Sequence, residues 1–318
     1  MSVKIPIATV GLGLMGSSIA TCLLASGHAV TSLVQHLEKG DAARERIHGF
    51  LQQLKDENRL NEEPGSVISQ LKITNDISDL ANHELVIESI VEDVAVKKRL
   101  YQRLEMILSP SAIIGSNTSA IPVTQLQEGL DHPERLLGIH WGEPAHVLRF
   151  LEVICGAQSD IKYAEKVMAL AEGWGKEPSL VRKDIRGFIT NRLMYAMMRE
   201  AFHLVENGYA SYEDIDRACR NDFGYWITFA GIFRFMDLTG VPAYLNVMKD
   251  LFPELDNSTR APESMEKLVA AGAKGVSNAH GFYPYTKESA EKWEKLFVEF
   301  TYEIRKVSEK YPQNAGDK

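Results

Sequence analysis

One histidine and one glutamate stand in stretches that otherwise read as core. His140 follows the apolar run Leu136-Leu137-Gly138-Ile139, and Glu152 interrupts Phe150-Leu151-Glu152-Val153-Ile154. A polar side chain in such surroundings costs free energy unless it finds a partner. The economical reading is that these two partner each other. A carboxylate accepting from one imidazole nitrogen fixes the tautomer and leaves the other nitrogen free to act as a base. Just upstream, Ser116-Asn117-Thr118-Ser119 follows the apolar run Ala112 to Gly115, and polar groups at a strand's end suggest a site. Taken singly, a core histidine and an unrelated ion-paired glutamate would be the better reading of each.

A second motif changes that balance. Residues 3 to 10 form a short, β-branched apolar run that ends in Gly11-Leu12-Gly13-Leu14-Met15-Gly16. Helix-like apolar spacing follows over Ser17 to Ser26, Gly27 stops it, and Ala29 to Val34 starts another strand. A bare G-x-G-x-x-G is weak, but between a strand and a helix it reads as a dinucleotide fingerprint. The first glycine permits the tight turn, the second lets the backbone approach a pyrophosphate, and the third lets helix and strand pack closely. The turn Gly11 to Gly16, with Leu14 and Met15 inside it, is therefore the expected cofactor contact. An acidic residue usually follows about 20 residues on and accepts from the ribose hydroxyls. Here the second strand ends Leu33-Val34-Gln35-His36. Gln35 can still hydrogen-bond a ribose and does not repel a 2′-phosphate, so NAD is expected and NADP stays open. With a nicotinamide at hand, a His140–Glu152 pair can remove a hydroxyl proton while the carbon's hydride leaves.

The elements that must position these residues follow from periodicity. Residues 37 to 70 read as a solvated helical hairpin with Leu51, Leu54 and Leu60 on a sparse apolar stripe. Leu71 to Thr74 and Leu85 to Ile90 read as strands. Glu92-Asp93 and Lys97-Lys98-Arg99 then open a helix running to Leu108. Such a charge run is as readily a solvated face as a ligand clamp. A helix over Ile161 to Glu172 and an edge strand over Pro178 to Val181 complete an α/β pattern, and Lys183 to Phe188 is the expected junction. Beyond it the pattern is helical. The first helix, Ile189 to Asn207, carries two apolar stripes and is expected to be buried. Asn191 lies on one of them, and from the pattern alone it reads as a satisfied structural amide. Ser211 to Asp214 resembles a capping box. Gly224 to Gly240 is aromatic-rich and suits core or a subunit interface, Gly272 to Gly281 is a loop, and the chain after about Lys310 is expected to fray. The fold class is thus α/β, an N-terminal Rossmann-type doubly wound sheet over residues 1–186 and an all-helical C-terminal domain over 187–318.

Bulk properties narrow the field. The 318 residues are 45% hydrophobic and 25% charged, the balance of a globular chain. Lys plus Arg number 35 against 43 Asp plus Glu, a net charge of −8, which argues against nucleic acid or an anionic membrane as partner. Cys22, Cys155 and Cys219 are odd in number and widely spaced, as for core thiols in a reducing cytoplasm. His140 and His146 flank Glu143, but no H-E-x-x-H helix exists and no metal site is expected. No G-x-S-x-G elbow suggests a serine hydrolase.

Taken in order, GLGLMG, VIESIVEDVAVKK, SNTSAIP, GIHWGEP, FLEVI, RGFITNRL and HGFYPY span nearly the whole chain, which on them resembles the 3-hydroxyacyl-CoA dehydrogenase family, including its L-gulonate 3-dehydrogenase/lambda-crystallin and carnitine dehydrogenase branches. The resemblance implies NAD-dependent oxidation of a 3-hydroxyacyl-CoA to the 3-keto product, as in fatty acid metabolism, by a homodimer formed through the helical domain. It implies that His140 is the base, that Glu152 orients it, and that Ser119 and Asn191 hydrogen-bond the reacting oxygen, which reverses the structural reading of Asn191. It further implies that Glu92, Lys97 and Asn117 line the cofactor and substrate cleft. One departure stands out. Where the acyl-CoA enzymes read H-F-F-N-P, this chain reads His140-Trp141-Gly142-Glu143-Pro144. A carboxylate replaces an amide three residues after the base, where it could repel an anionic substrate or grip a polyol or amine. A small hydroxy acid such as gulonate, carnitine, or a silent dinucleotide-binding role are the alternatives.

Overall fold

The computed structural model describes residues 4–311. The chain divides into two compact units, Met1–Thr190 and Asn191–Lys318.

The first unit is built on one eight-stranded sheet. In chain order it comprises β1 (Ile7–Val10), α1 (Leu14–Ala25), β2 (Val30–Leu33), α2 (Gly40–Asp56), α3 (Pro64–Ile68), β3 (Leu71–Thr74), β4 (Leu85–Glu88), α4 (Val94–Glu105), β5 (Ile113–Ser116), α5 (Val123–Gln127), β6 (Leu136–Trp141), β7 (Phe150–Cys155), α6 (Ile161–Gly173) and β8 (Glu177–Val181). The strand order is β3-β2-β1-β4-β5-β6-β7-β8. Every pairing is parallel except β6 with β7. Strands β1, β2, β4, β5 and β6 are buried at every residue. That is why apolar residues fall on both faces of these strands rather than alternating, since a parallel sheet is covered on both faces. Of the polar exceptions, Thr9 and Ser32 hydrogen-bond each other at 2.7 Å. Two apolar clusters provide the cover. One includes Ile19 and Leu23 of α1 with Ile47 and Leu51 of α2, and the other includes Leu100 and Leu104 of α4 with Leu126 of α5. In α2, Ala43, Ile47, Leu51 and Leu54 are the buried stripe, and the helix starts at a buried Gly40 beside Ile73.

The last residue before the described stretch, Val3, belongs to the expected first strand but lies outside the described residues, as does the expected fraying beyond Tyr311.

The second unit holds α7 (Thr190–Glu206, its first residue still in unit one), α8 (Tyr212–Ala218), α9 (Gly224–Thr239), α10 (Val241–Leu251), α11 (Glu263–Ala270) and α12 (Lys287–Lys310). No strand occurs in it among the described residues, only isolated bridges around His280. Ser211 caps α8 by accepting from the Asp214 N–H, and Thr286 with Ser289 forms a reciprocal capping box on α12. Helix α9 is interrupted at Gly231, whose φ of 69° takes it out of the helical region.

The expected burial of α7 is corrected. None of its residues is buried in the chain, and Leu193 and Tyr195 are 52% and 65% exposed. An apolar helix surface shows that something should cover it, not that its own chain does.

Candidate active site

The strand order reverses between β1 and β4, and ligands of doubly wound sheets bind outside the carboxyl ends of strands at such a point. A cleft of about 1060 Å³ lies there, lined by Val10 to Gly13, Leu33 to His36 and Ser89 to Val91 among others. The three glycines of the turn have distinct jobs. Gly11 has φ +93°, and a Cβ on it would meet the Ser89 carbonyl oxygen at 2.5 Å. A Cβ on Gly16 would fall 2.0 Å from the Gly11 carbonyl oxygen, so only glycine lets α1 begin this close to β1. A Cβ on Gly13 would meet nothing within 4 Å; it would stand in open space. That is a cradle for a ligand, with the first-turn N–H groups of α1 uncapped by any side chain. The residues therefore fit a dinucleotide pyrophosphate. Of the expected contacts, Gly11, Gly13 and Gln35 line the cleft. Leu14 is exposed, Met15 packs partly against the core, and Gly16 acts through packing.

Beneath the far wall runs a buried polar network. The Lys97 ammonium donates to Glu88 at 2.6 Å and pairs with Glu92 at 3.4 Å, with Lys97 and Glu88 both fully buried. Tyr101 and Ser116 donate to the other Glu88 oxygen. Burial, then the Glu88 charge and hydrogen bond, push the Tyr101 phenol well above its usual range, so it stays a donor. Glu92 accepts from the Thr118 hydroxyl and from the N–H groups of Ser119 and Ala120. Burial opposes its ionisation, but those donors and Lys97 outweigh it and hold the carboxyl below its usual value. Lys97 thus bears on the cleft indirectly, by fixing Glu92, which in turn fixes the backbone of Ser119. Asn117 ties three strand ends together, accepting from the Trp141 N–H at 2.9 Å and donating to Ser89.

His140 and Glu152 are cross-strand partners on β6 and β7. His140 Nδ1 lies 2.9 Å from Glu152 Oε2. Glu152 Oε1 accepts from the N–H groups of Ile189 and Thr190 at 3.1 and 2.9 Å, with the Thr190 hydroxyl at 3.3 Å. Burial alone would raise the Glu152 pKa, but the hydrogen bonds from His140 and Thr190, the histidine's charge and the Ile189 N–H lower it below the usual value. An ionised Glu152 takes the Nδ1–H tautomer as its partner. His140 Nε2 has no partner among the described residues, and the ring packs against Phe150 and Phe188 at centroid distances of 5.4 and 5.7 Å. A buried imidazole with one nitrogen anchored and one free is equipped to accept a proton.

Ser119 is exposed at the end of β5, and Asn191 is half-buried in the first turn of α7. Glu143 is exposed and has no hydrogen-bond or ion-pair partner among the described residues. Among those residues, no group of three or more His, Cys, Asp or Glu could hold a metal ion, and no helix is long and apolar enough to cross a membrane.

Sequence reasoning missed Glu88, Tyr101, Ser89, Phe188 and Arg46. Glu88 could have been found by the argument that picked out Glu152, a carboxylate ending an apolar strand. Arg46, on α2, donates to the Leu12 carbonyl and the Ser17 hydroxyl at the glycine turn, and no local signal marks it.

Residues 6–185 match the 3-hydroxyacyl-CoA dehydrogenase NAD binding domain, and residues 187–285 match the C-terminal domain of the same family. The chain belongs to the 3-hydroxyacyl-CoA dehydrogenase family. It is an NAD-dependent oxidoreductase of the kind that acts on a secondary hydroxyl. A probable 3-hydroxybutyryl-CoA dehydrogenase of Deinococcus radiodurans is 33% identical over 87% of this chain and 98% of its own length. The 5-formyl-3-hydroxy-2-methylpyridine 4-carboxylate 5-dehydrogenase of Mesorhizobium japonicum is 32% identical over 90% of this chain and 92% of its own. A crystal structure of an enzyme of that last activity, described as an NAD-dependent dismutase, superposes with a TM-score of 0.88 at 28% identity, covering 96% of this chain and 99% of that one. For the (S)-3-hydroxybutyryl-CoA dehydrogenase of Ralstonia eutropha the TM-score is 0.75 at 28% identity, over 89% and 100%.

Proposed function

We propose that this chain oxidises a 3-hydroxyacyl-CoA to the 3-ketoacyl-CoA, using His140 as the base and Glu152 to orient it. The observation that carries the reading is the anchored Nδ1 and unpartnered Nε2 of a buried His140. Nε2 accepts the substrate hydroxyl proton, and the ionised Glu152 stabilises the imidazolium that results. Bound NAD supplies the hydride acceptor. In the reverse direction the imidazolium returns the proton to the carbonyl oxygen. Ser119 and Asn191 hold that oxygen, a role that rests on their place in the SNTS and GFITNRL motifs. Gly11, Gly13 and Gln35 hold the dinucleotide, and Glu92, Lys97 and Asn117 keep the cleft's wall in place. A silent dinucleotide-binding protein would have no need of all of Ser119, His140, Glu152 and Asn191.

A second reading, a free hydroxy acid in place of the thioester, is favoured by two observations. The pyridine-carboxylate enzyme matches more of this chain, 96% against 89% for the Ralstonia enzyme. Glu143, exposed and without a hydrogen-bond or ion-pair partner among the described residues, replaces an amide three residues after the base. The deciding experiment is a panel of 3-hydroxyacyl-CoA esters, hydroxy acids, polyol acids and carnitine, followed by nicotinamide reduction. Turnover of the esters supports the first reading and turnover of free acids alone supports the second. Reduction at the wild-type rate in the His140→Asn variant overturns the mechanism.

The same proposal includes a homodimer formed through the helical unit, supported by exposed Tyr225, Phe229, Phe233 and Leu245. A reducing, cytoplasmic setting is supported by the free thiols of Cys22, Cys155 and Cys219.

A further inference from the structure

The cofactor cleft is cationic in a chain whose net charge is −8. Lys39, Arg46, Arg99 and Arg103 line it together with Gln35 and His36, and no aspartate or glutamate is among the lining residues. Three of the four cations are uncommitted: Lys39, Arg99 and Arg103 have no ion-pair or hydrogen-bond partner for their side chains among the described residues. Arg46 is instead held in place, donating to the Leu12 carbonyl at 3.3 Å and to Ser17 Oγ at 3.1 Å. The His36 ring is 3.1 Å from Glu38, and Glu38 does not line the cleft.

These charges matter because of what stands beside them. An adenine ribose in this fold lies at the end of the second strand, where an NAD-selective site carries a carboxylate that accepts from the hydroxyls and repels a 2′-phosphate. Gln35 occupies the end of β2 here, two residues beyond Leu33. An amide donates as well as accepts, and it carries no charge to repel an anion. His36 and Lys39 follow within four residues on the same rim of the cleft. A dianionic phosphate at this point would meet an amide, an imidazole and an unpaired ammonium, with the guanidinium of Arg46 at the neighbouring glycine turn.

We propose that the ribose end of this cleft, built by Gln35, His36, Lys39 and Arg46, accepts the 2′-phosphate of NADP, so that the chain binds both dinucleotides. The inference rests on the cleft being the dinucleotide site. Charge-assisted contacts to the phosphate offset its desolvation, as an Arg does in other folds of this type. The stem of Lys39 is exposed, so its ammonium can reorient toward the phosphate without leaving an existing pair.

Isothermal titration with NAD, NADP and 2′,5′-ADP in the absence of substrate tests this by binding alone. The expected result is that NADP binds no more than about tenfold more weakly than NAD, a difference of about 1.4 kcal/mol. Its affinity should fall more steeply with salt than that of NAD, since it carries the additional phosphate charge. Gln35→Asp should weaken NADP relative to NAD by at least about tenfold, and Lys39→Ala should shift the ratio the same way. NAD binding with NADP and 2′,5′-ADP both at least about a hundredfold weaker overturns the inference and leaves the cofactor assignment standing. Variants that bind NAD and NADP in the wild-type ratio also overturn it. If neither dinucleotide binds, the cleft itself has been misassigned and both readings fail together.

Discussion

His140 and Glu152 are register partners across the β6–β7 pairing, the single antiparallel step in an otherwise parallel sheet. Directly opposed residues of an antiparallel pair project from the same face. The two side chains therefore meet because of register, not because a flexible loop brings them together. Replacing His140 with Asn is expected to lower kcat by about 10²–10⁴, the range for loss of a general base, while cofactor binding stays measurable. Glu152→Gln should lower kcat as well, and a kcat equal to wild type in either variant would show that the pair is structural.

The two glycines Gly13 and Gly16 separate cofactor contact from packing. Gly16→Ala forces a methyl into the Gly11 carbonyl and is expected to cost about 1–3 kcal/mol of stability, as for other overpacked sites. Gly13→Ala meets no protein atom, so its melting temperature should stay near wild type while NAD affinity falls by at least about tenfold. Equal destabilisation by both would contradict the open cradle at Gly13.

Removing the Lys97 ammonium would leave the buried Glu88 without its cation. Lys97→Met is expected to destabilise the chain by about 3–5 kcal/mol, and adding Glu88→Gln should restore a large part of it. Chemical denaturation of the single and double variants measures this. Additive losses would mean that the pair is not coupled.

Burial, and then the nearby Lys176 ammonium, push the His146 pKa down to about 4 from 6.5. Burial is also the leading cause of the lowered values of His28 and His83. The folded state therefore holds these rings neutral. The contribution of His146 is complete above about pH 6.5 and is lost as pH falls from there toward about 4, at up to about 1.4 kcal/mol per pH unit, and those of His28 and His83 are lost in the same direction below pH 6.5. Melting temperature should drop through that window, and His146→Gln should flatten the drop. An unchanged slope in the variant would refute the assignment.

Glu143 is exposed and has no hydrogen-bond or ion-pair partner among the described residues, so its exchange tests the second reading of the substrate directly. Glu143→Asn is expected to raise kcat/KM for CoA thioesters relative to free hydroxy acids, as measured on the substrate panel. A ratio within error of wild type would remove Glu143 from the account of specificity.

The parts of this fold that sequence made legible are those that depend on neighbours in the chain. The strand ends at Val10 and Thr74, the glycine turn, and the helix opening at Ile161 follow from local periodicity and backbone freedom, while the second strand, read as running to Val34, stops one residue earlier at Leu33. Pairing across the sheet does not. Nothing in Leu136 to Ile154 states that β6 and β7 run antiparallel, so the His140–Glu152 contact could be argued only from the cost of burying each residue alone. Lys97 read as one of a surface charge run because its partner Glu88 lies on another element, and Arg46 gave no signal because its partners are a backbone carbonyl and a hydroxyl. For α7 the apolar stripes were read correctly, but the inference from them to burial needed knowledge of what surrounds the helix.

Of the described residues of the second unit, only Ala230, Ala290 and Tyr302 are buried. Apolar burial is the main favourable contribution to folding, and six helices with three buried residues generate little of it by themselves. The unit's internal packing thus rests mainly on half-buried side chains, such as Phe202 and Tyr212 against Phe282 and Trp226 stacked on Phe235. Its thermal transition should depend on whatever surface covers Leu193, Phe233 and Val241, so that cooperativity in this half of the chain is a property of its contacts rather than of its sequence segment.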